Sequence, residues 1–147
     1  MNYDNASDIF HRYIEKYYRQ KDRSRQKHDD NHNVVTVSAV VSPEFINCQP
    51  DLNGTLHQHF YVYIKELLEG AKNLIDLTTV FVAVHYGDEE SIAEPIPGLV
   101  PGRPITIRGK FVPASEVYKS EDNPGYPVLH FTHHPVGYIL YEGKRYE

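Results

Sequence analysis

The sequence has little sulphur, because its 147 residues include one cysteine and one methionine, and it has no tryptophan. The single cysteine, Cys48, excludes an intramolecular disulfide, so nothing in the composition requires an oxidising compartment. The chain has no run of about 18 apolar residues, and its first twenty residues are charged and polar, which argues against a membrane span and a signal peptide. We therefore expect a cytoplasmic protein that has no membrane partner.

Positive charge is scarce outside the amino-terminal segment. Residues 1–27 contain seven Lys and Arg against four Asp and Glu, whereas residues 28–147 contain eight against sixteen, so the two parts carry net charges of +3 and −8. An acidic body repels a phosphate backbone, and binding to nucleic acid would have to use the amino-terminal arm or a local basic patch.

The amino-terminal segment has the pattern of an amphipathic helix. Ser7 is a suitable first residue, and apolar side chains then recur at helical spacing to about residue 21. We assign the helix and a basic arm to residues 1–27 and a polar linker to residues 28–33, and an exposed apolar stripe on this helix would make it the interface of a homo-oligomer. The basic residues of the arm that could contact phosphate are Arg19, Lys21, Arg23, Arg25 and Lys27.

Residues 34–147 have the pattern of a single β domain. The segments that predict strands are VVTVSAVVSPEFI, LHQHFYVYI, TTVFVAVHY, RPITIRGKFV, PVLHFTHH and GYILYEGKRY. The pattern of residues 64–76 fits either a helix or a hairpin, because its apolar side chains recur at helical spacing while Gly70 could form a turn. The predicted fold class is mainly β with an N-terminal α-helix, and the β part is an OB-like small barrel of five or six strands.

The second predicted strand alternates clearly. Phe60, Val62 and Ile64 fall on one side and form the more apolar face, which we expect to point into the core. The opposite face carries two histidines and two tyrosines, at positions His57, His59, Tyr61 and Tyr63.

Three pieces of the chain resemble a family of small bacterial OB-fold proteins whose function is unknown. The pieces are TLHQHFYVYI, LVPGRPITIRGKFV and PVLHFTHHPVGYILYEGKRYE, and the matching motifs are His57-Gln58, Gly102 to Gly109, His130 to His134, Gly137 to Ile139 and Gly143 to Tyr146. The chain has Phe131 and Tyr138 where those proteins carry tryptophan. The resemblance implies an OB fold over about residues 34–147 and implies no activity.

Histidines are concentrated in two of the predicted strands. In an extended strand His57 and His59 point the same way about 7 Å apart, as do His130, Thr132 and His134, whereas His133 points to the other side. If the two strands are neighbours, imidazoles could converge on zinc or another divalent metal, and the candidate ligands are His57, His59, His130 and His134. The alternative is that these histidines hydrogen-bond to the backbone and to Gln58 or Thr132, which would close the barrel without a cofactor.

Two other readings of the same residues stay open. His130-Phe131-Thr132 resembles the His-x-Thr tripeptide of two-histidine phosphoesterases, although the other candidate, His57-Gln58-His59, has no hydroxyl. Tyr61 and Tyr63, with Arg108 and Lys110, could instead form a platform on which single-stranded nucleic acid stacks.

We favour a noncatalytic OB-like binding module whose partner is a protein or peptide rather than single-stranded nucleic acid. We expect no cofactor. The alternative is a metal-dependent hydrolase or phosphoesterase that uses the four candidate metal ligands. The candidate ligand-binding residues are His57, Gln58, His59, Tyr61, Tyr63, His130, Thr132 and His134.

Overall fold

The computed structural model describes about two thirds of the chain, in ranges that begin at residue 33. The described ranges are residues 33–44, 46–50, 56–70, 78–87, 91–117, 119 and 123–147. The predicted amino-terminal helix, the basic arm and nearly all of the linker lie outside these residues. No helix among the described residues has the length and apolar character that crossing a bilayer requires.

Nearly all the regular structure in the described residues is β. The strands are β1 (Val34–Val41), β2 (Asn47–Pro50), β3 (Leu56–Glu69), β4 (Thr79–Tyr86), β5 (Pro104–Val112), β6 (Val128–His130), β7 (Tyr138–Tyr141) and β8 (Lys144–Tyr146). A single turn of 3-10 helix, Ala114–Glu116, follows β5.

Five of the strands close into a barrel. Their order is β1-β3-β4-β6-β5, and the circle is completed because β5 also pairs with β1. All the pairings are antiparallel except the one between β4 and β6. A closed five-stranded barrel that contains one parallel pair is consistent with the predicted OB-like small barrel. Outside the barrel, β2 pairs with β3, and the β7–β8 hairpin extends the sheet from β5.

The barrel interior follows from the alternation of β3. Phe60, Val62 and Ile64 are fully buried in the main core, as the sequence predicts. The neighbouring strands contribute further branched side chains to the same core, among them Val35, Val37, Val80, Val82, Val84, Ile105, Ile107 and Ile139. Because inner positions recur at every second residue, the outward side chains of β3 and β4 also share one face.

The ambiguous segment after Ile64 is a strand as far as Glu69. β1 pairs with this second half of β3, with register shifts on either side of Val37 and Ser38, and Leu67 packs against the main core. The helical interpretation is therefore wrong for residues 64–69, because pairing with β1 outweighs a local helical stripe. Residues 71–76 lie outside the described part.

A second layer covers the outer face of β3 and β4. Tyr61, Phe81 and Ala83 are buried there in a cluster of their own. The residues that pack over them come from the end of β5 and the segments around β6, and they are Val112, Val117, Tyr126, Val128 and Phe131. The face that the alternation assigns to His57, His59 and Tyr61 is therefore the correct face, but it is an interior surface between two layers.

Candidate functional site

The histidines of β3 lie in the second layer. His57 and His59 are buried, with 5% and 0% of their surface exposed. His85 of β4 is the register partner of His57, and their rings stack with centroids 4.9 Å apart and an interplanar angle of 19°. The ring of His59 meets the ring of Phe81 edge-on at 4.9 Å.

The histidines of β6 and of the segment that follows it lie beside those of β3 and β4. His130 ends β6 opposite Lys110 of β5 and is buried. The next residue, Phe131, has a positive φ of 55°, which ends the strand and places its ring 4.2 Å from that of His130. His133 then packs edge-on against His85 at 5.7 Å.

The break at Phe131 corrects one expectation about the last predicted strands. The segment from His130 to His134 is not one extended strand, so His130, Thr132 and His134 do not share a strand face. Thr132 is buried, whereas His134 is exposed. His133, which the alternation placed on the opposite side, is the residue that reaches the other histidines.

We call the group His57, His59, His85, His130 and His133 the histidine cluster. Sequence reasoning missed His85 and did not select His133. The signal for His85 was its alternation with Phe81 and Ala83 in a strand that pairs with β3. The register that sets it beside His57 could not be read, because it depends on the length and path of the connection between the two strands.

Two members of the cluster, His57 and His130, are held in the neutral form at neutral pH. Burial is the main cause that lowers the pKa of His57 well below its usual value, and the nearby imidazoles of His85, His59 and His133 lower it further. Burial also lowers the pKa of His130, with added repulsion from His57, Lys110 and His133. Because every one of these neighbours is a potential cation, protonation of one member opposes protonation of the next.

The rings of the histidine cluster are packed against one another. Within the described ranges, no group of three or more His, Cys, Asp or Glu residues is placed to hold a metal ion. His134, one of the four candidate metal ligands, is exposed, while the other three are buried. The rings of the cluster meet face to face or edge to face, which is the geometry of aromatic packing.

Gln58 and Thr132 do not have the roles expected of them. The Gln58 amide lies inside the barrel, where its Nε2 donates to Ile96 O at 3.0 Å and its Oε1 accepts from Ile96 N at 2.8 Å. It thereby fixes the segment 92–97 over one end of the barrel. The buried Thr132 Oγ1 has no hydrogen-bond partner among the described residues.

The two barrel cations proposed for nucleic acid both have partners in the protein. The Arg108 guanidinium donates to Val136 O at 3.1 Å, to Glu69 at 3.2 Å and to Thr36 at 3.2 Å. Lys110 is buried, with its ammonium 5.4 Å from the centre of the Phe131 ring. The basic arm from Arg19 to Lys27 lies outside the described residues.

The two tyrosines of the β3 face have different environments. Tyr61 is buried against Phe81 and Tyr126, with ring centroids 5.6 and 5.5 Å away. Tyr63 is 43% exposed, and the Lys65 ammonium lies 5.8 Å from the centre of its ring. A row of stacked bases along this face would therefore find one accessible tyrosine instead of two.

Two cavities adjoin at the last residue of the chain. One, of about 600 Å³, is lined by Gln58, the segment 92–97 and residues 144–147. The other, of about 490 Å³, is lined by Ser91, Phe131, residues 133–136 and Glu147. The first lining mixes apolar and charged side chains, and the second also contains the imidazoles of His133 and His134. Apolar walls with a few polar groups are typical of sites that bind a ligand.

Comparison with known proteins adds no relative, because no protein-family model, no curated protein and no solved structure matches the chain. The resemblance to small bacterial OB-fold proteins stays a prediction.

Proposed function

We propose that this chain is a noncatalytic binding module on an OB-like barrel and that its partner is a protein or a peptide. The observation that carries the proposal is the pair of adjoining cavities at the end of the barrel, beside a histidine cluster that is packed under a second layer. Buried neutral imidazoles make a poor acid and base pair, because a general acid or base must reach the proton that it transfers.

A protein or peptide partner agrees with the charge distribution better than nucleic acid does. Residues 28–147 carry a net charge of −8, and Arg108 and Lys110 already interact within the protein. Binding to a phosphate backbone needs unengaged cations, whereas a peptide gains from main-chain hydrogen bonds and apolar contacts.

The proposal is tested with two probes on the full chain. A phage-displayed library of random dodecapeptides, selected on the immobilised protein, should yield binders whose amide shift changes fall on the 92–97 segment and β8. A fluorescein-labelled oligo(dT) should give no change in anisotropy even at low salt, where phosphate contacts are strongest. Failure of the library to yield any binder, or tight binding of oligo(dT), would contradict the proposal.

The hydrolase alternative has its own test, which is metal analysis of protein purified without a polyhistidine tag. On the binding-module proposal the protein contains less than stoichiometric zinc, and a His130→Ala variant does not change that content. Stoichiometric metal that is lost in His130→Ala would favour the hydrolase.

A further inference from the structure

Within the described residues, one edge of β8 has no strand partner, and β8 lines the larger of the two cavities. Among the described strands, β2 and β8 have a single strand partner each. β2 ends at Pro50, which has no N–H to donate and blunts that edge. β8 has no proline, and its residues line the cavity.

The hairpin geometry identifies which main-chain groups face outward. Tyr141 and Lys144 flank a two-residue turn in which Glu142 and Gly143 both have positive φ, at 52° and 78°. In such a turn the flanking residues form a hydrogen-bonded pair, and the next pair along the ladder does not. Arg145, which lies opposite Leu140, therefore directs its N–H and C=O away from β7.

The Arg145 side chain leaves this edge uncovered. Its guanidinium lies 4.0 Å from the centre of the Tyr138 ring on β7 and also pairs with Glu147. The side chain therefore extends across the hairpin, and the main-chain groups of Arg145 point away from β7.

The opposite wall of the cavity is poorly suited to pair with the main chain of β8. It is the segment 92–97, which Gln58 holds in place and which contains Pro95 and Pro97. Proline has no N–H, so this wall offers few donors for pairing with β8.

The geometry points to an extended, uncharged and apolar segment of a partner protein as the occupant, added as a strand to β8 between that strand and the 92–97 wall. This inference rests on the proposed function and names its site and its partner class. The four charged residues that line the cavity are two cations and two anions, namely Lys144, Arg145, Glu94 and Glu147. A neutral lining of this kind selects by main-chain pairing and apolar contact instead of by charge.

A second copy of the chain fits the edge less well. Symmetric antiparallel pairing through the outward groups of Arg145 would place this residue directly opposite its counterpart. Like charges at directly opposite positions destabilise a strand pair.

The test uses peptides selected from the dodecapeptide library, measured by fluorescence anisotropy against the full chain. An Arg145→Pro variant removes the outward N–H, and we expect it to weaken binding about tenfold, because a main-chain hydrogen bond contributes roughly 1 kcal/mol and neighbouring pairing is disturbed as well. Arg145→Ala is the matched control, since it removes the side chain, keeps the N–H and should change affinity less than threefold.

A second measurement does not depend on folding of the variant. Each amide of a selected peptide is N-methylated in turn. Of the three residues of β8, Arg145 directs its main-chain groups outward, so binding should fall about tenfold at the peptide residue that pairs with Arg145 and change little at the two residues beside it, whose N–H groups face away from β8. Uniform effects along the peptide would overturn strand addition.

The outcomes separate the two proposals. Peptides that bind equally well to Arg145→Pro, and whose affinity no single N-methylation lowers selectively, would remove the β8 site and leave the binding function standing. A library that yields no peptide would remove both. A dimer in sedimentation that Arg145→Pro dissociates would assign the edge to a second copy and contradict the partner proposed here.

Discussion

The histidine cluster should make the stability of this protein depend steeply on pH between 7 and 5. The pKa values of His57 and His130 are lowered in the folded state, whereas in the unfolded chain each is near 6.5. Between those two values the unfolded state binds a proton that the folded state does not. The stabilisation is therefore complete above about pH 6.5 and is lost as the pH falls through that value toward the folded pKa.

The expected size follows from linkage. In this pH window, each histidine with a lowered pKa reduces the free energy of unfolding by about 1.4 kcal/mol for every unit that the pH falls. While the pH stays above both folded pKa values, each further unit below 6.5 therefore removes about 3 kcal/mol for His57 and His130 together. That is a large fraction of the 5–15 kcal/mol that is typical of a domain.

Urea unfolding followed by tyrosine fluorescence measures this effect at pH 7, 6 and 5. A His130→Gln variant should have about half the pH dependence of the parent, because one of the two lowered groups is gone. His134→Gln is the matched control, since His134 is exposed, and it should keep the full slope. A free energy of unfolding that does not change from pH 7 to pH 5, or a slope that His130→Gln leaves intact, would refute the reasoning.

Three further substitutions and one control test the contacts that position the cavities, each by urea unfolding. Gly137→Ala should lose more than about 2 kcal/mol, because its Cβ would lie 2.0 Å from Arg108 O. Gly143→Asn is the control and should lose less than about 1 kcal/mol, because none of the described residues comes within 4 Å of the added Cβ and asparagine tolerates the positive φ of 78° better than most residues. Gln58→Leu should cost about 2–4 kcal/mol and increase amide exchange at Ile96, because two buried main-chain groups lose their partners. Arg108→Ala should cost about 1 kcal/mol, since part of its contact with Glu69 is exposed to solvent.

The barrel was predictable because its main signal is local. Alternation in β3 assigned Phe60, Val62 and Ile64 to the core, and the structure confirms the assignment. The turn residues between the segments and the β-branched runs also predicted mainly β structure. The secondary structure of residues 64–69 could not be predicted from local sequence, because these residues form a strand by pairing with β1, about thirty residues earlier in the chain.

The candidate site was predictable in part. Alternation placed His57 and His59 on one face, but it could not show that Tyr126 and Phe131 are part of a layer that covers that face. A covering layer depends on packing between segments far apart in sequence, which periodicity does not report. The positive φ of Phe131 could not be predicted either, because the left-handed region is rare for residues other than glycine. This one backbone conformation is the reason that His133, and not His134, contacts the other histidines.

The two layers explain why the end of the barrel is the better place for a partner. A closed barrel satisfies the main-chain groups of its own five strands, so a bound segment gains little main-chain pairing from the barrel itself. The outer face of β3 and β4 could offer side-chain contacts, but a partner there would first have to displace Tyr126 and Phe131 from Tyr61 and Phe81. The β7–β8 hairpin lies outside the closed circle of strands. Among the described strands, β8 therefore has one edge without a strand partner, and it lines a cavity. A segment that pairs with β8 would leave both layers in place, and its binding at neutral pH would not require protonation of the histidine cluster.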